Sequence, residues 1–297
     1  MTTEHTPTDP HHLPIHNVGV VGCGLMGAGI AEVCARRGHA VTVSEVSQAA
    51  LHAGLARLRG SLDKALERGK LTDLDHAVTL DRIRGTTDLA DFADCDIVIE
   101  AAVEQLDTKR EIFRRLDEIA PAHAILASNT SSISITRLAA ATGRPAQVIG
   151  AHFFNPVPVM PLIEIIRGLQ TSDATFEAVK DFGQALGKQV VVCLADNPGF
   201  IVNLLFIPYG LDAIRGLEQG VATKEDFDVA MKLGMNHPMG PFELLDFVGL
   251  DTVLFIADAM YDETRDPRYA APPLLRRMVA AGHTGRKSGK GFYDYRK

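Results

Sequence analysis

The chain has only four cysteines in 297 residues, Cys23, Cys34, Cys95 and Cys193, and no two form a Cys-x-x-Cys pair. Such isolated thiols argue against a disulfide framework and read as buried, reduced side chains. Positive charge is also short: 30 Lys and Arg face 37 Asp and Glu, a formal net charge of −7. That balance excludes nonspecific binding to nucleic acid or to an anionic membrane surface, while leaving room for a local basic cluster. A membrane-spanning run is missing too. The longest uncharged stretch, from Pro145 to Ile163, carries four prolines together with His152 and Asn155, which no spanning helix tolerates. The first fifteen residues mix acids, prolines and histidines without an apolar centre, so they read as a disordered tail and not as a secretory signal. A disordered arm is favoured there over a metal site built on His5, His11 and His12. The expectation is a cytoplasmic protein without a bound metal.

The length suits two domains, each with its own core. From Asn17 to about Asp196 short β-branched runs alternate with helical segments, as a mostly parallel sheet requires. The predicted strands are Val18–Val21, Ala40–Ser44, Asp96–Glu100, Ile125–Ser128, Val148–Phe153, Met160–Ile166 and Val190–Val192. Between Glu45 and Thr86 the chain is longer than a simple crossover, with Leu51, Leu55, Leu58 and Leu62 at helical spacing. Arg57, Arg59, Lys64, Arg68 and Lys70 supply a basic side, which reads as an inserted helical hairpin over about 49–85. After Asn197-Pro198-Gly199 the pattern becomes helical throughout: 198–219, 223–233, 241–248, 251–263 and 272–281. Asn197, Thr223 and Asp251 are predicted helix N-caps, Gly220, Gly234 and Gly282 predicted stops, and Pro208 a predicted kink. The domains are therefore expected at 16–197 and 198–297.

Gly22, Gly24 and Gly27 stand in G-x-G-x-x-G spacing between an apolar strand and a helical run. In that context the first glycine permits a tight turn, the second lets backbone amides approach a pyrophosphate, and the third permits close helix–strand packing. Leu25 and Met26 open the helix whose amino terminus faces the phosphates. Glu45 ends the second strand eighteen residues after Gly27. A carboxylate there bonds the ribose hydroxyls and repels a 2′-phosphate, so the predicted cofactor is NAD. Together these features give an α/β, Rossmann-type, doubly wound and mostly parallel sheet followed by an all-α carboxyl-terminal domain.

His152 and Glu164 stand twelve residues apart across a proline-stiffened turn. If the flanking strands pair, the two side chains face each other, and a carboxylate-held imidazole is a proton acceptor suited to neutral pH. Glu164 lies in an apolar strand, where a carboxylate is rarely buried without a partner.

With these residues in view, the sequence resembles the 3-hydroxyacyl-CoA dehydrogenase family, most of all its bacterial 3-hydroxybutyryl-CoA members. The resemblance rests on Ser128-Asn-Thr-Ser-Ser132, His152-Phe-Phe-Asn-Pro156, Pro198-Gly-Phe-Ile-Val-Asn203, Pro238-Met-Gly-Pro241 and Lys290-Gly-Phe-Tyr293. It implies that His152 removes the proton of the substrate 3-hydroxyl, that Glu164 orients it, and that Ser131 and Asn203 hold the reacting oxygen and the thioester end. It further implies cofactor contacts at Glu104, Lys109, Ser131, Asn155 and Lys287, and coenzyme A contacts at Ser61 and Arg68. Where the family often has arginine after the asparagine matched by Asn203, this chain has Leu204. The helix Phe200-Ile-Val-Asn-Leu-Leu-Phe-Ile is apolar on more than one face, which predicts burial in a bundle or in a homodimer through the second domain. Two other readings remain at this point: a dehydrogenase of a free hydroxy acid or sugar acid, and a noncatalytic NAD-binding protein.

Overall fold

A computed structural model describes residues 15–296; most of the expected amino-terminal tail, with His5, His11 and His12, lies outside them. Contacts divide the chain into two compact units that meet at Asp196 and Asn197. In the first unit eight strands form one sheet: β1 (Asn17–Val21), β2 (Ala40–Ser44), β3 (Ile83–Thr86), β4 (Ile97–Glu100), β5 (Ile125–Ser128), β6 (Val148–Phe153), β7 (Leu162–Ile166) and β8 (Gln189–Cys193). Their spatial order is β3-β2-β1-β4-β5-β6-β7-β8. Every pairing in this sheet is parallel except β6 with β7. The order reverses beside β1, between the path toward β3 and the path toward β5. Such a switch point opens a crevice at the carboxyl ends of the strands.

The alternation of side chains along each strand sorts two layers. Val18, Val20, Ile97, Ile99, Ile149, Ala151, Ile163 and Ile165 join the core beneath α1 (Leu25–Arg36) and α6 (Asp173–Ala185). The intervening positions face the other layer. A Cβ at Gly19 would come 3.0 Å from the Phe92 ring, and one at Gly150 would come 3.0 Å from Ile135 in α5 (Ile135–Ala139). His152 and Glu164 have the parity of Gly150, so they project on the α5 side. On that side α4 (Leu106–Ile119) buries Lys109, Phe113 and Leu116, a stripe at i, i+4 and i+7.

One strand escaped the pattern reading. The crossover from β2 consists of α2 (Gln48–Glu67) and α3 (Asp73–Asp81), and then Ile83–Thr86 pairs with β2 at the sheet edge. The helical hairpin is thus the crossover itself and not an insertion. With Arg84 and Gly85 in only four residues, β3 shows no alternation long enough to register.

The second unit contains α7 (Val202–Glu218), α8 (Lys224–Gly234), α9 (Pro241–Val248), α10 (Leu250–Thr264) and α11 (Pro273–Ala280). Asn197 does not cap α7. Gly199 and Phe200 take φ of 83° and 51°, a left-handed backbone that cannot start a right-handed helix, so α7 begins at Val202 and runs without interruption through Pro208. Asp251 sits in the first turn of α10 behind Gly249 and is not its cap. Thr223 does cap α8, accepting from the Asp226 amide. Leu204 packs against the helical core, so the residue that departs from the family pattern serves as an apolar filler.

Two buried aspartates tie this unit together. Asp228 accepts from the Phe242 and Glu243 amides and from the Tyr293 hydroxyl at 2.8, 3.2 and 2.7 Å. Asp246 accepts from the Phe292 and Tyr293 amides and the Tyr295 hydroxyl at 2.8, 2.9 and 3.1 Å. A Cβ on Gly291 would sit 1.9 Å from Asp246 Oδ1, so the chain passes there only as glycine. Replacing Asp246 by Ala strands two backbone donors and releases the carboxyl-terminal tail. A loss on the order of 3 kcal/mol is expected in urea unfolding of the full chain, and an unchanged midpoint would contradict it.

Candidate active site

Strand register sets the site. Val21 pairs with Glu100, Glu100 with Ser128, and Ser128 with Gly150. The carboxyl ends of β1, β4, β5 and β6 therefore lie in one row along one sheet edge, about 14 Å across three strand spacings. The glycine turn, Glu104, Ser131 and His152 stand on or just beyond this row; Glu45 follows β2, Lys109 lies in α4, Glu164 lies in β7 opposite His152, and Ser61 and Arg68 are on the hairpin.

The turn after β1 has the form a dinucleotide pyrophosphate needs. Gly22 has φ of 91°, and a Cβ on Gly27 would lie 1.8 Å from the Gly22 carbonyl oxygen. A Cβ on Gly24 would meet no atom within 4 Å, so its outer side is open space at the amino terminus of the twelve-residue α1, beside exposed Leu25. Glu45 closes the turn from the side, its carboxylate accepting the Cys23 amide at 2.7 Å and the Val46 amide at 3.1 Å. These features fit NAD. Cys23, between the glycines, is buried, and burial, assisted by Glu45, pushes its thiol up to about 11. The other three cysteines are likewise free and buried.

Next along the row lies a group of charges that pattern reading identified only in part. Glu100 is wholly buried at the end of β4 and Lys109 is 1% exposed. The Lys109 ammonium donates to Glu100 at 2.6 Å and stands 3.0 Å from Glu104. Glu100 also accepts from the Ala102 amide and the Ser128 hydroxyl, each at 2.7 Å. One oxygen of Glu104 receives the Thr130 hydroxyl, the Ser131 amide at 3.0 Å and the Ser132 hydroxyl at 3.2 Å. Burial alone would raise the Glu104 pKa, but Lys109, Thr130 and Ser131 outweigh it and hold the carboxyl below its ordinary range. The loops after β4 and β5 are thereby stapled to each other, and half-buried Ser131 sits on the staple. Glu100, Thr130 and Ser132 were not among the predicted residues, although a carboxylate ending an apolar strand carries the same signal that singled out Glu164.

At the far end of the row, His152 and Glu164 are direct partners across the antiparallel β6–β7 pair. His152 Nδ1 lies 2.6 Å from a Glu164 oxygen, with His152 7% exposed and Glu164 wholly buried. A carboxylate that accepts here takes a hydrogen bond from Nδ1–H, and in that tautomer Nε2 is the nitrogen left to receive a proton. Asn129 fixes the strand behind them by accepting the Phe153 amide at 2.8 Å. The intervening turn begins at exposed Asn155, joined to Pro156 by a cis peptide bond. Lys188 holds the rest of the turn, donating to the Val157 and Met160 carbonyls at 2.6 and 2.8 Å.

On the hairpin, Ser61 is half-buried over Glu32 of α1, and Arg68 is exposed at the end of α2. Arg57, one turn before Ser61 on the same face of α2, bonds the Cys23 carbonyl at 3.0 Å. In the second unit Asn203 is 8% exposed in the first turn of α7, and Lys287 pairs with Asp251 at 2.7 Å. Among the described residues no group of three or more His, Cys, Asp or Glu side chains could hold a metal. No helix among them is long and apolar enough to cross a membrane.

Comparison with known proteins resolves the family. Residues 17–197 match the model of the 3-hydroxyacyl-CoA dehydrogenase NAD-binding domain, and residues 199–295 match that of its carboxyl-terminal domain. The chain belongs to the 3-hydroxyacyl-CoA dehydrogenase family. It is an NAD-dependent dehydrogenase. A 3-hydroxybutyryl-CoA dehydrogenase of Mycobacterium tuberculosis is 52% identical over 283 residues, covering 95% of this chain and 99% of that protein. Among solved structures, FadB2 of M. tuberculosis has a TM-score of 0.92 at 52% identity, covering 95% of this chain and all of that one. The (S)-3-hydroxybutyryl-CoA dehydrogenase of Ralstonia eutropha has a TM-score of 0.90 at 49% identity, with the same coverage.

The Lys109 staple makes a prediction about acid stability. A depressed Glu104 pKa contributes stability that is present above the unfolded value, about 4.3, and is lost as pH falls through the folded one. In Lys109→Met the ammonium is gone and burial of Glu104 is opposed only by its neutral hydrogen-bond donors. The variant should lose about 3–5 kcal/mol at neutral pH and regain part of it between pH 7 and 5, a window in which the parent's Glu104 contribution is flat. Parallel slopes in urea midpoints across that range would refute the role given to Lys109.

Proposed function

We propose that the chain interconverts a short-chain (3S)-3-hydroxyacyl-CoA, 3-hydroxybutyryl-CoA in particular, and the corresponding 3-ketoacyl-CoA. The observation that carries this reading is the buried His152–Glu164 contact at the end of the row that begins at the glycine turn. The named relatives and the (S) enzyme of Ralstonia support the substrate and its hand. Bound NAD supplies the hydride acceptor. With Nδ1–H directed at Glu164, His152 Nε2 receives the 3-hydroxyl proton, and the buried carboxylate stabilises the imidazolium that forms. In the reverse direction the same nitrogen returns the proton to the ketone oxygen. Ser131, held through its amide by Glu104, presents a hydroxyl that can donate to a ketone oxygen or accept from a hydroxyl, and so serves both directions.

Gly22, Gly24, Leu25, Met26 and Gly27 cradle the pyrophosphate in this reading, while Glu45 takes the adenosine ribose. Glu104 and Asn155 stand at the nicotinamide end. Lys109 acts through Glu104, because its ammonium is already enclosed by two carboxylates. Asn203 and Lys287 keep the roles the family resemblance implies, toward the thioester and the cofactor respectively. Coenzyme A falls to Ser61 and to the exposed end of α2 at Arg68.

His152→Gln should lower kcat with NADH and acetoacetyl-CoA by roughly 10²–10⁴-fold, followed by NADH absorbance, while the Kd for NADH stays within about twofold of the parent. Substantial retained turnover would remove His152 from the role of base. The second unit exposes the apolar side chains Leu205, Val229, Leu233, Met235, Phe247 and Phe255, a surface that a second subunit would cover. We assign it to a homodimer. Light scattering at micromolar concentration should give twice the mass of one chain, and a monomer would exclude the assignment.

A further inference from the structure

Two side chains of opposite charge grip the same residue of the glycine turn. Glu45 accepts the amide of Cys23 at 2.7 Å, and Arg57, reaching back from the middle of α2, donates Nη1 to the Cys23 carbonyl at 3.0 Å. A guanidinium therefore bonds the same residue as the carboxylate that follows β2. The thiol between them senses both: burial raises its pKa most, Glu45 raises it further and Arg57 lowers it. Arg57 is an exposed residue, and one hydrogen bond engages only part of its five-donor fork. The other cations near the start of the fold are committed elsewhere: Arg36 pairs with Glu32, and Arg37 bonds the Leu186 carbonyl.

We propose that Arg57 is a latent receptor for a ribose 2′-phosphate, screened by Glu45, so that the chain selects NAD through that carboxylate and not through the lack of a cation. The physical basis is the fit of a planar fork to phosphate oxygens, set against the repulsion that Glu45 exerts on the same group. The proposal rests on the dinucleotide lying on the turn at 22–27 with its adenosine ribose at Glu45. It removes Arg57 from the cations available to coenzyme A and leaves Arg68 among them.

The test is direct binding of NADH and NADPH to the full chain, read by nucleotide fluorescence. Glu45→Gln retains an acceptor for the Cys23 amide and removes only the charge. It should weaken NADH binding and tighten NADPH binding by about tenfold or more. Adding Arg57→Gln, which retains a donor for the Cys23 carbonyl, should abolish that gain, as should adding Arg57→Ala. Circular dichroism and retained NADH binding establish that each variant is folded. If both double variants keep the NADPH gain, or Glu45→Gln alone shows none, the role of Arg57 is overturned. If instead Glu45→Gln leaves NADH affinity unchanged, the ribose is not at Glu45, and the underlying cofactor placement fails with it.

Discussion

The Lys109 ammonium, enclosed by Glu100 and Glu104, is the interaction on which the site most depends. Burying three charges is expensive, and their attraction repays the cost only when the remaining lone pairs are satisfied. Here they are met by the Ala102 and Ser131 amides and by the Ser128, Thr130 and Ser132 hydroxyls. An apolar trio of similar volume could match the stability but could not hold two loops at fixed height over the sheet edge. The network spends stability on position, and the position it sets is that of Ser131.

The second constraint is the one antiparallel pairing within the sheet. A parallel continuation from β6 would need a long crossover and would carry the next strand away from the row. The short turn across Asn155–Met160 brings β7 straight back, so Glu164 faces His152 in direct register. Side-chain parity then does the rest. Ile163 and Ile165 enter the α1 core, while Glu164 and His152 face the opposite layer. Glycine at 150 lets α5 approach close beside them. The His152–Glu164 contact is thus a product of topology as much as of the two residue types.

Much of this was legible from pattern. Apolar runs bounded by turns located seven of the eight strands, because buried parallel strands read as continuous β-branched segments. The edge strand β3 was lost because Arg84 and Gly85 occupy half of it. Helix starts failed where backbone conformation overruled side-chain preference: Asn197 is a good capping residue, yet left-handed Gly199 and Phe200 follow it. The His152–Glu164 pair was legible because an apolar strand cannot bury an acid alone. Glu100 met the same criterion, but its partner Lys109 lies on a helix nine residues later, where an amphipathic pattern conceals one buried cation. The direction of Arg57 was hidden for a related reason: helical periodicity gives a face, not which neighbouring loop that face meets.

The blocks that carry the family resemblance are physically of two kinds. Ser128–Ser132 and His152–Pro156 lie on the row of the sheet edge and contain the groups that can move or hold a proton. Pro238–Pro241 and Lys290–Tyr293 are accounted for by close packing in the second unit, since a Cβ on Gly240 would lie 2.2 Å from Asp228 Cα and one on Gly291 would lie 1.9 Å from Asp246. Tyr293 joins both aspartates, through its amide to Asp246 and its hydroxyl to Asp228. Shared sequence therefore identifies the family through folding constraints and chemical constraints alike, and the last two blocks, Pro238–Pro241 and Lys290–Tyr293, are of the folding kind. A chain that kept Gly240, Gly291 and Tyr293 but lost His152 would retain the second unit's fold and much of the resemblance without the buried His152–Glu164 contact.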